Sequence, residues 1–450
     1  MSMNSIYLPL IRIALPIIFI QICQASLGLI DTLIAGRFDY RHLAGVGLGS
    51  NLWTPVVMLG TGVLYALLPK VSAAASRADH SAMHELYLHG RVNTLKLIVF
   101  EFGVIQLLAF LTPWLIQDAV MAEVTKQYLH YVAFAMPGFM YMVLTRFFCE
   151  GNNRFTPVIL TTVILALVNL GLNISLVNGL FGLPQLGGAG CGLATAISTT
   201  LGAMIIHVLA RKQLGFAFPV QLSIPDKQQS KRFFYEGLPI GIAIVIEIIA
   251  LSLLAFFASS LGTKVVAAHQ VAINIAIVIF MIPLALGNAA TIRVAHFHAR
   301  SEQHNVERTC NAAFFITLIY VILMSGLVLS ALQPFANAFS HDPEVVLLIS
   351  GLLVYIAAFQ FADAFMIVAS GLLRGAEEFI KPMLAIVLCY WMFVLPLSYA
   401  IGVKGWWFGW AGIETIWSIL IIGLFATALL LVTQTYRHHK LSRRFVTSNA

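Results

Sequence analysis

The chain is 450 residues long, 60% hydrophobic and only 10% charged, with 26 basic and 19 acidic residues and a net charge of +7. Soluble proteins carry roughly 25% charged residues, and so few charges cannot coat the several domains that this length would build. A cytosolic enzyme, a DNA-binding protein and a disordered chain are therefore excluded, and the surface must face lipid.

The opening MSMNSIYLPLIRIALP has neither a basic leader nor a small-residue cleavage site, so it reads as the start of a retained span rather than a removable signal peptide. Apolar stretches of about 20 residues follow at 9–34, 43–69, 93–116, 127–149, 156–178 and 188–210. A second set falls at 237–261, 265–292, 311–336, 345–373, 382–402 and 407–434. Stretches such as 238–261 are apolar on every face, unlike the alternating strands of a membrane barrel. Cys23, Cys149, Cys191, Cys310 and Cys389 are scattered singly and read as packing residues.

Basic residues near span ends are retained on the cytoplasmic side. With the N-terminus inside, 19 Lys and Arg fall in inner loops and the C-terminal tail, against five outside: Arg37, Arg41, Lys126, Lys264 and Lys404. Both termini are thus expected in the cytoplasm, and the positive charge needs no nucleic-acid partner.

The chain also repeats itself. Pro16 and Pro239 open the first and seventh spans 223 residues apart, and Pro157 and Pro382 open the fifth and eleventh 225 apart, after the similar loops EGNNRFTP and RGAEEFIKP. Because each repeat has an even number of spans, the copies enter the membrane in the same direction. The expected fold is all-α and integral to the membrane: twelve transmembrane helices in two parallel-repeat six-helix lobes around a central cleft. The lobes are 1–213 and 234–436, joined by a polar cytoplasmic linker, 214–233, and followed by a cytoplasmic tail, 437–450. Since one chain holds both lobes, a monomer is expected.

An ionised side chain deep in a bilayer costs about 2.5–3.5 kcal/mol on insertion scales, so such residues face a bundle interior or a water-filled cavity and point to function. Asp31 in the first span, Glu247 in the seventh and Asp363 in the tenth qualify. No Lys or Arg lies within a turn of Glu247 or Asp363. Such acids can exchange a proton, or hold Na⁺ with neighbouring carbonyl and amide oxygens, or serve as neutral hydrogen-bond donors between helices. Asn169 and Asn173, four apart, share a face of the fifth helix and with Asp31 can form an oxygen cage for a small cation, though paired amides also act as interhelical glue. Gln21 and Gln24 carry the same ambiguity; Gln270 and Asn274 form another pair one turn apart, and Gln360 precedes Asp363 by a turn. Glu101, Glu150 and Glu414 lie nearer the expected interfaces and read as solvated or snorkelled.

Most of the 13 histidines sit in loops without ligand spacing, so no resident metal site is expected. Tryptophans such as Trp53, Trp391, Trp407 and Trp417 read as interfacial belt or core, and any that line a cavity can stack on flat cations. There is no phosphate-cradling glycine loop, nucleophile elbow or HExxH, so neither ATP-driven nor hydrolytic chemistry has support and no enzyme is expected.

At these residues the chain resembles the multidrug and toxic compound extrusion (MATE) family, in its bacterial NorM branch. The segments LPIIFIQICQASLGLIDTLIAGR, LAGVGLGSNLWTPV, CEGNNRFTP, FGLPQLGGAGCGLAT, GLPIGIAIVIE, AAHQVAINIAIVIFMIP, TIRVAHF, HDPEVV and FADAFMIVASGLLRG carry the likeness, in order, along nearly the whole chain. The resemblance implies an inner-membrane exporter of organic-cation drugs and dyes driven by inward Na⁺ or H⁺, with no cofactor beyond the transported ion. It places coupling-ion roles on Asp31, Asn169, Asn173, Glu247 and Asp363, and substrate contacts on Asn51, Gln270, Asn274 and Asp342, with Phe280 and Gln360 beside them. Phe280 departs from the pattern: some NorM-branch members carry a tyrosine there, and a phenyl ring offers no oxygen ligand, which shifts weight for Na⁺ to the Asp31, Asn169 and Asn173 site. A lipid-linked oligosaccharide flippase of the same superfamily is the nearest alternative, but its anionic headgroup calls for basic residues inside the membrane, where this chain has acids. A non-transporting membrane protein lacks a ligand domain to support it.

Overall fold

Long apolar runs with short polar turns fold as helices throughout the computed structural model, which describes residues 4–215, 225–339, 342–406 and 409–448; among these no strand forms. Residues 216–224 of the expected linker, His341 and Trp407 lie outside the described residues, as does the end of the tail.

The helices of the first half are α1 (Asn4–Phe38), α2 (Tyr40–Tyr65), α3 (Leu67–Ser76), α4 (His80–Leu115), α5 (Ala119–Ala133), α6 (Met136–Gly151), α7 (Thr156–Asn178) and α8 (Ala189–Leu214). Then come α9 (Lys227–Ser259), α10 (Thr263–His298), α11 (Gln303–Ser330), α12 (Leu332–Phe339), α13 (Pro343–Gly375), α14 (Ile380–Val387), α15 (Leu395–Leu397) and α16 (Ile413–Ser448). Eleven spans are long and apolar enough to cross a membrane, and α5 with α6, bent by 51°, makes a twelfth. That bend has a local cause: Pro137 in the first turn of α6 has no N–H to donate, and Phe134 and Ala135 close tight turns onto Tyr131 and Val132.

Short aspartate-led turns separate the spans. Asp79 Oδ1 accepts from the Ala82 amide at 2.9 Å, and Asp118 Oδ1 from Met121 at 2.8 Å, satisfying amides that a helix start leaves open. Two turns are duplicated. Ala78 and Ser301 both sit at left-handed φ, 52° and 59°, and Asn153 and Glu377 at 56° and 60°. Within each pair the hydrogen bonds also match: Arg154 N donates to Cys149 O at 2.8 Å, and Glu378 N to Leu373 O at 3.0 Å. The internal repeat thus extends to backbone geometry.

The eleventh span, Ile380–Val403, is irregular. After α14 it widens into π-helical Leu388–Val394, narrows through α15 and widens again over Ser398–Val403. Pro396 in α15 cannot donate to the turn before it, which favours such a shift of register.

Packing divides the chain into two units. The first is Phe19–Val245 and the second joins Met1–Ile18 to Ile246–Ala450. The start of α1 therefore packs within the second unit, where the Tyr7 and Phe315 rings meet edge to face at 5.6 Å. The start of α9 packs within the first. There a Cβ on Gly62 of α2 would lie 2.4 Å from the Gly241 Cα of α9, so two backbones touch where only glycine fits. The start of α9 is also tied to α3 through Lys70 and Glu236, 2.7 Å apart, and to α4 through Ser230 Oγ and His89 Nδ1, 2.8 Å apart.

Candidate functional sites

In the first unit, α1, α7 and α8 converge on Asp31, which is buried. Residues 169 and 173, one helical turn apart, both point at it: Asn173 Nδ2 donates to Asp31 Oδ1 at 2.8 Å and to Asn169 Oδ1 at 2.9 Å. From α8, Thr195 Oγ1 reaches Asp31 Oδ2 at 3.5 Å, and Ser198 Oγ accepts from Asn169 Nδ2 at 3.4 Å. Asn173 Oδ1 is buried and makes no hydrogen bond among the described residues. The cluster thus gathers carboxylate, amide and hydroxyl oxygens, a hard-ligand set suited to a small cation or to a proton on the carboxyl.

The second unit holds Glu247 on α9 and Asp363 on α13, within electrostatic reach of each other. Asp363 is buried and Glu247 half-buried. Tyr390, fully buried in the first π-helical stretch, donates its hydroxyl to Glu247 Oε1 at 3.3 Å. Phe280 is half-buried on α10. Gln360 is buried on α13 and donates to Ser325 Oγ at 2.6 Å.

The remaining expected contact residues stand apart. Asn51, Gln270 and Asn274 are exposed, and among the described residues no hydrogen bond ties them to either cluster. Asp342 caps α13 and pairs with Lys264 at 2.8 Å; the ammonium beside it holds this exposed carboxyl below its ordinary range.

Two expectations are corrected. Glu101 and Glu150, read as solvated or snorkelled, are both fully buried. A single acid on the inward face of an otherwise apolar helix leaves the hydropathy of the stretch almost unchanged, which hides its burial. Glu150 is neutralised one turn away by Arg146, whose Nε lies 2.6 Å from Oε1. Arg146 also donates to Gln24 Oε1 at 2.6 Å and to Gln21 Oε1 at 3.4 Å, which assigns that glutamine pair to holding a guanidinium. Thr195, Ser198 and Tyr390 were not singled out from the sequence; hydroxyls three apart on α8 were the available signal for the first two.

Twelve apolar spans, an internal duplication and an acid cluster in each unit describe a multi-span membrane protein of the architecture that two-repeat transporters use. The MatE family profile matches residues 16–175 and 239–400, and the chain belongs to this family of multidrug efflux (MATE) transporters. It is similar to the multidrug resistance protein NorM of Photobacterium profundum, 31% identical over 426 residues that cover 94% of this chain and 93% of the relative. The multidrug resistance protein MdtK of Pectobacterium atrosepticum is 31% identical over 445 residues, with the same coverage. Among solved structures, the eukaryotic MATE transporter AtDTX14 superposes with a TM-score of 0.85 at 18% identity over 97% of this chain and 98% of its own. An outward-facing multidrug resistance MATE transporter gives a TM-score of 0.87 at 16% identity, over 97% and 96%. At those identities the structures speak to the fold alone.

Proposed function

We propose that this chain exports organic cations and other amphipathic toxic compounds from a bacterial cell, in exchange for inward Na⁺ or H⁺. The observation that carries this reading is the pair of acid clusters, Asp31 with Asn169 and Asn173 in one unit and Glu247 with Asp363 in the other. Each can hold an ion that neutralises it. Relatives of 31% identity named for multidrug resistance point the same way.

The exporter works by alternating access, its duplicated halves 1–213 and 234–436 rocking around a central cleft that opens alternately to each side of the inner membrane, with both termini in the cytoplasm. A ligand with equal affinity for two states shifts neither, so ion and drug favour opposite states. Exposed Asn51, Gln270, Asn274 and Asp342 are the proposed drug contacts, with Phe280 and Gln360 beside them. One cation entering down about 100 mV supplies about 2.3 kcal/mol, which sustains a gradient of a neutral drug of about fifty-fold.

Ethidium efflux from proteoliposomes, with Na⁺ and pH gradients imposed separately, tests the reading. Either gradient should drive efflux, and Asp31→Asn, Glu247→Gln and Asp363→Asn should each cut it at least tenfold while still inserting. Efflux indifferent to both gradients sinks the antiporter assignment.

A further inference from the structure

Neither cluster uses Glu101. It lies on α4 between the apolar stretches 97–100 and 102–105, is fully buried, and neither carboxyl oxygen has a hydrogen-bond partner among the described residues. Three helices of the first unit enclose it. Gly60 of α2 lies against the carboxyl so closely that any Cβ there would overlap Oε1 and come within 3.0 Å of Cδ. Met140 of α6 brings its Sδ to 3.2 Å from the same Cβ position.

This cradle discriminates between ligands. Na⁺ needs several oxygens around it, as the Asp31 cluster offers, whereas Glu101 has beside it a thioether and a helical backbone whose polar groups serve the helix. An ionised carboxylate at the junction would be a charge with no counter-ion and at most the Gly60 backbone amide beside it, in apolar surroundings that penalise it heavily. A proton is the ligand that fits. A Cβ at position 60 would fill the space the protonated group occupies, so the glycine and the acid form one feature.

We propose that Glu101 is a proton-binding site of the first unit, separate from Asp31. The carboxylate takes H⁺ from water when the junction of α2, α4 and α6 opens, forming an O–H bond. It stays sealed against Gly60 while neutral, and returns H⁺ to water when the junction opens again. This site rests on the antiport reading and makes H⁺ part of the coupling whichever ion occupies the Asp31 cluster.

The experiment counts protons taken up per ethidium exported, using a trapped pH indicator in proteoliposomes holding the full chain. Wild type is compared with Glu101→Gln, Glu101→Met and Gly60→Ala, with Asp31→Asn as the reference for loss of the Asp31 cluster's own ion. The expected result is that Glu101→Gln and Glu101→Met insert, bind ethidium and take up about one proton fewer per dye than wild type. Gly60→Ala should lower the count in the same direction by displacing the carboxyl. Should Glu101→Gln and Glu101→Met both match the wild-type count and pH profile, Glu101 is a neutral packing group and the proposal is overturned. Failure of the antiport reading itself looks different: wild-type efflux then responds to no gradient at all.

Discussion

An ion pair as deeply seated as Arg146 and Glu150 is governed by what happens when one partner is lost. The guanidinium side chain is 12% exposed and the carboxylate side chain 0%. Removing Arg146 leaves a buried carboxylate with no counter-charge, a loss of about 3–5 kcal/mol. Arg146→Met should therefore lower the thermal unfolding midpoint of the detergent-solubilised protein sharply, whereas Arg146→Met combined with Glu150→Met should recover most of it, since well-packed apolar pairs replace buried ion pairs at little cost. A second residue-scale expectation concerns Tyr390. Its bond to Glu247 is long at 3.3 Å, so its contribution belongs at the low end of the range for hydrogen bonds to charged groups, about 1.5 kcal/mol. Tyr390→Phe should reduce gradient-driven efflux about tenfold with insertion intact; unchanged efflux would remove Tyr390 from the site. Which residues were legible beforehand follows from spacing. Asp31 is an acid inside an apolar run, and Asn169 and Asn173 share a helix face, so their convergence in the 2.8 and 2.9 Å bonds could be anticipated. Thr195 and Ser198 could not, because hydroxyls are common in spans and bond to their own helix, as Ser198 does to Thr195 O at 3.2 Å.

Helix pairs set how far the site-bearing elements can move. Where α2 crosses α9, Gly62 faces the Gly241 Cα and Gly237 faces the Val63 backbone. Gly62→Ala inserts a Cβ at 2.4 Å from that Cα, overpacking that ordinarily costs about 1–3 kcal/mol. The unfolding midpoint should fall accordingly, while Gly47→Ala on the same helix, where a Cβ meets nothing within 4 Å, should leave it unchanged. The starts of α10 and α13 are tied differently, through Lys264 to Asp342 at 2.8 Å and to Glu344 at 2.6 Å. Lys264 holds the Asp342 carboxyl below its ordinary range. A depressed folded-state value means that the tie stabilises fully above the ordinary carboxylate range and is lost as pH falls through the depressed one. Lys264→Ala should flatten that acid limb of the stability profile, and because all three groups are exposed, added salt should weaken the effect in wild type. Hydropathy marked the spans but not their internal geometry. The fourth was expected at 127–149 and runs over Ala119–Gly151 with a 51° bend, since α5 carries enough polar residues to fall below an apolar window. The π-helical turns beside Pro396 left no trace in composition, although they seat Tyr390 against Glu247.

At the scale of the whole molecule, one acid cluster in each unit makes the charge balance of a turnover measurable. A monovalent dye leaving against one entering cation moves no net charge, so membrane potential alone cannot drive it. If both the Asp31 cluster and the Glu247 and Asp363 cluster load an ion in each cycle, at least one net positive charge enters per dye, and the Glu101 proton proposed above adds a second. The field then contributes about 2.3 kcal/mol per 100 mV, enough for a dye gradient of about fifty-fold without any ion gradient. The expected outcome is that a potassium-diffusion potential, negative inside, drives ethidium out of proteoliposomes with no imposed Na⁺ or pH gradient. Asp31→Asn should weaken this potential-driven component, since one fewer positive charge enters per cycle, and retain part of the efflux driven by an ion gradient through Glu247 and Asp363. Glu247→Gln should give the mirror result, its residual coupling carried by Asp31, Asn169 and Asn173. Wild-type efflux that ignores the potential would mean a single ion per cycle, and the cluster whose neutralisation then stops all coupling would be the one that carries it.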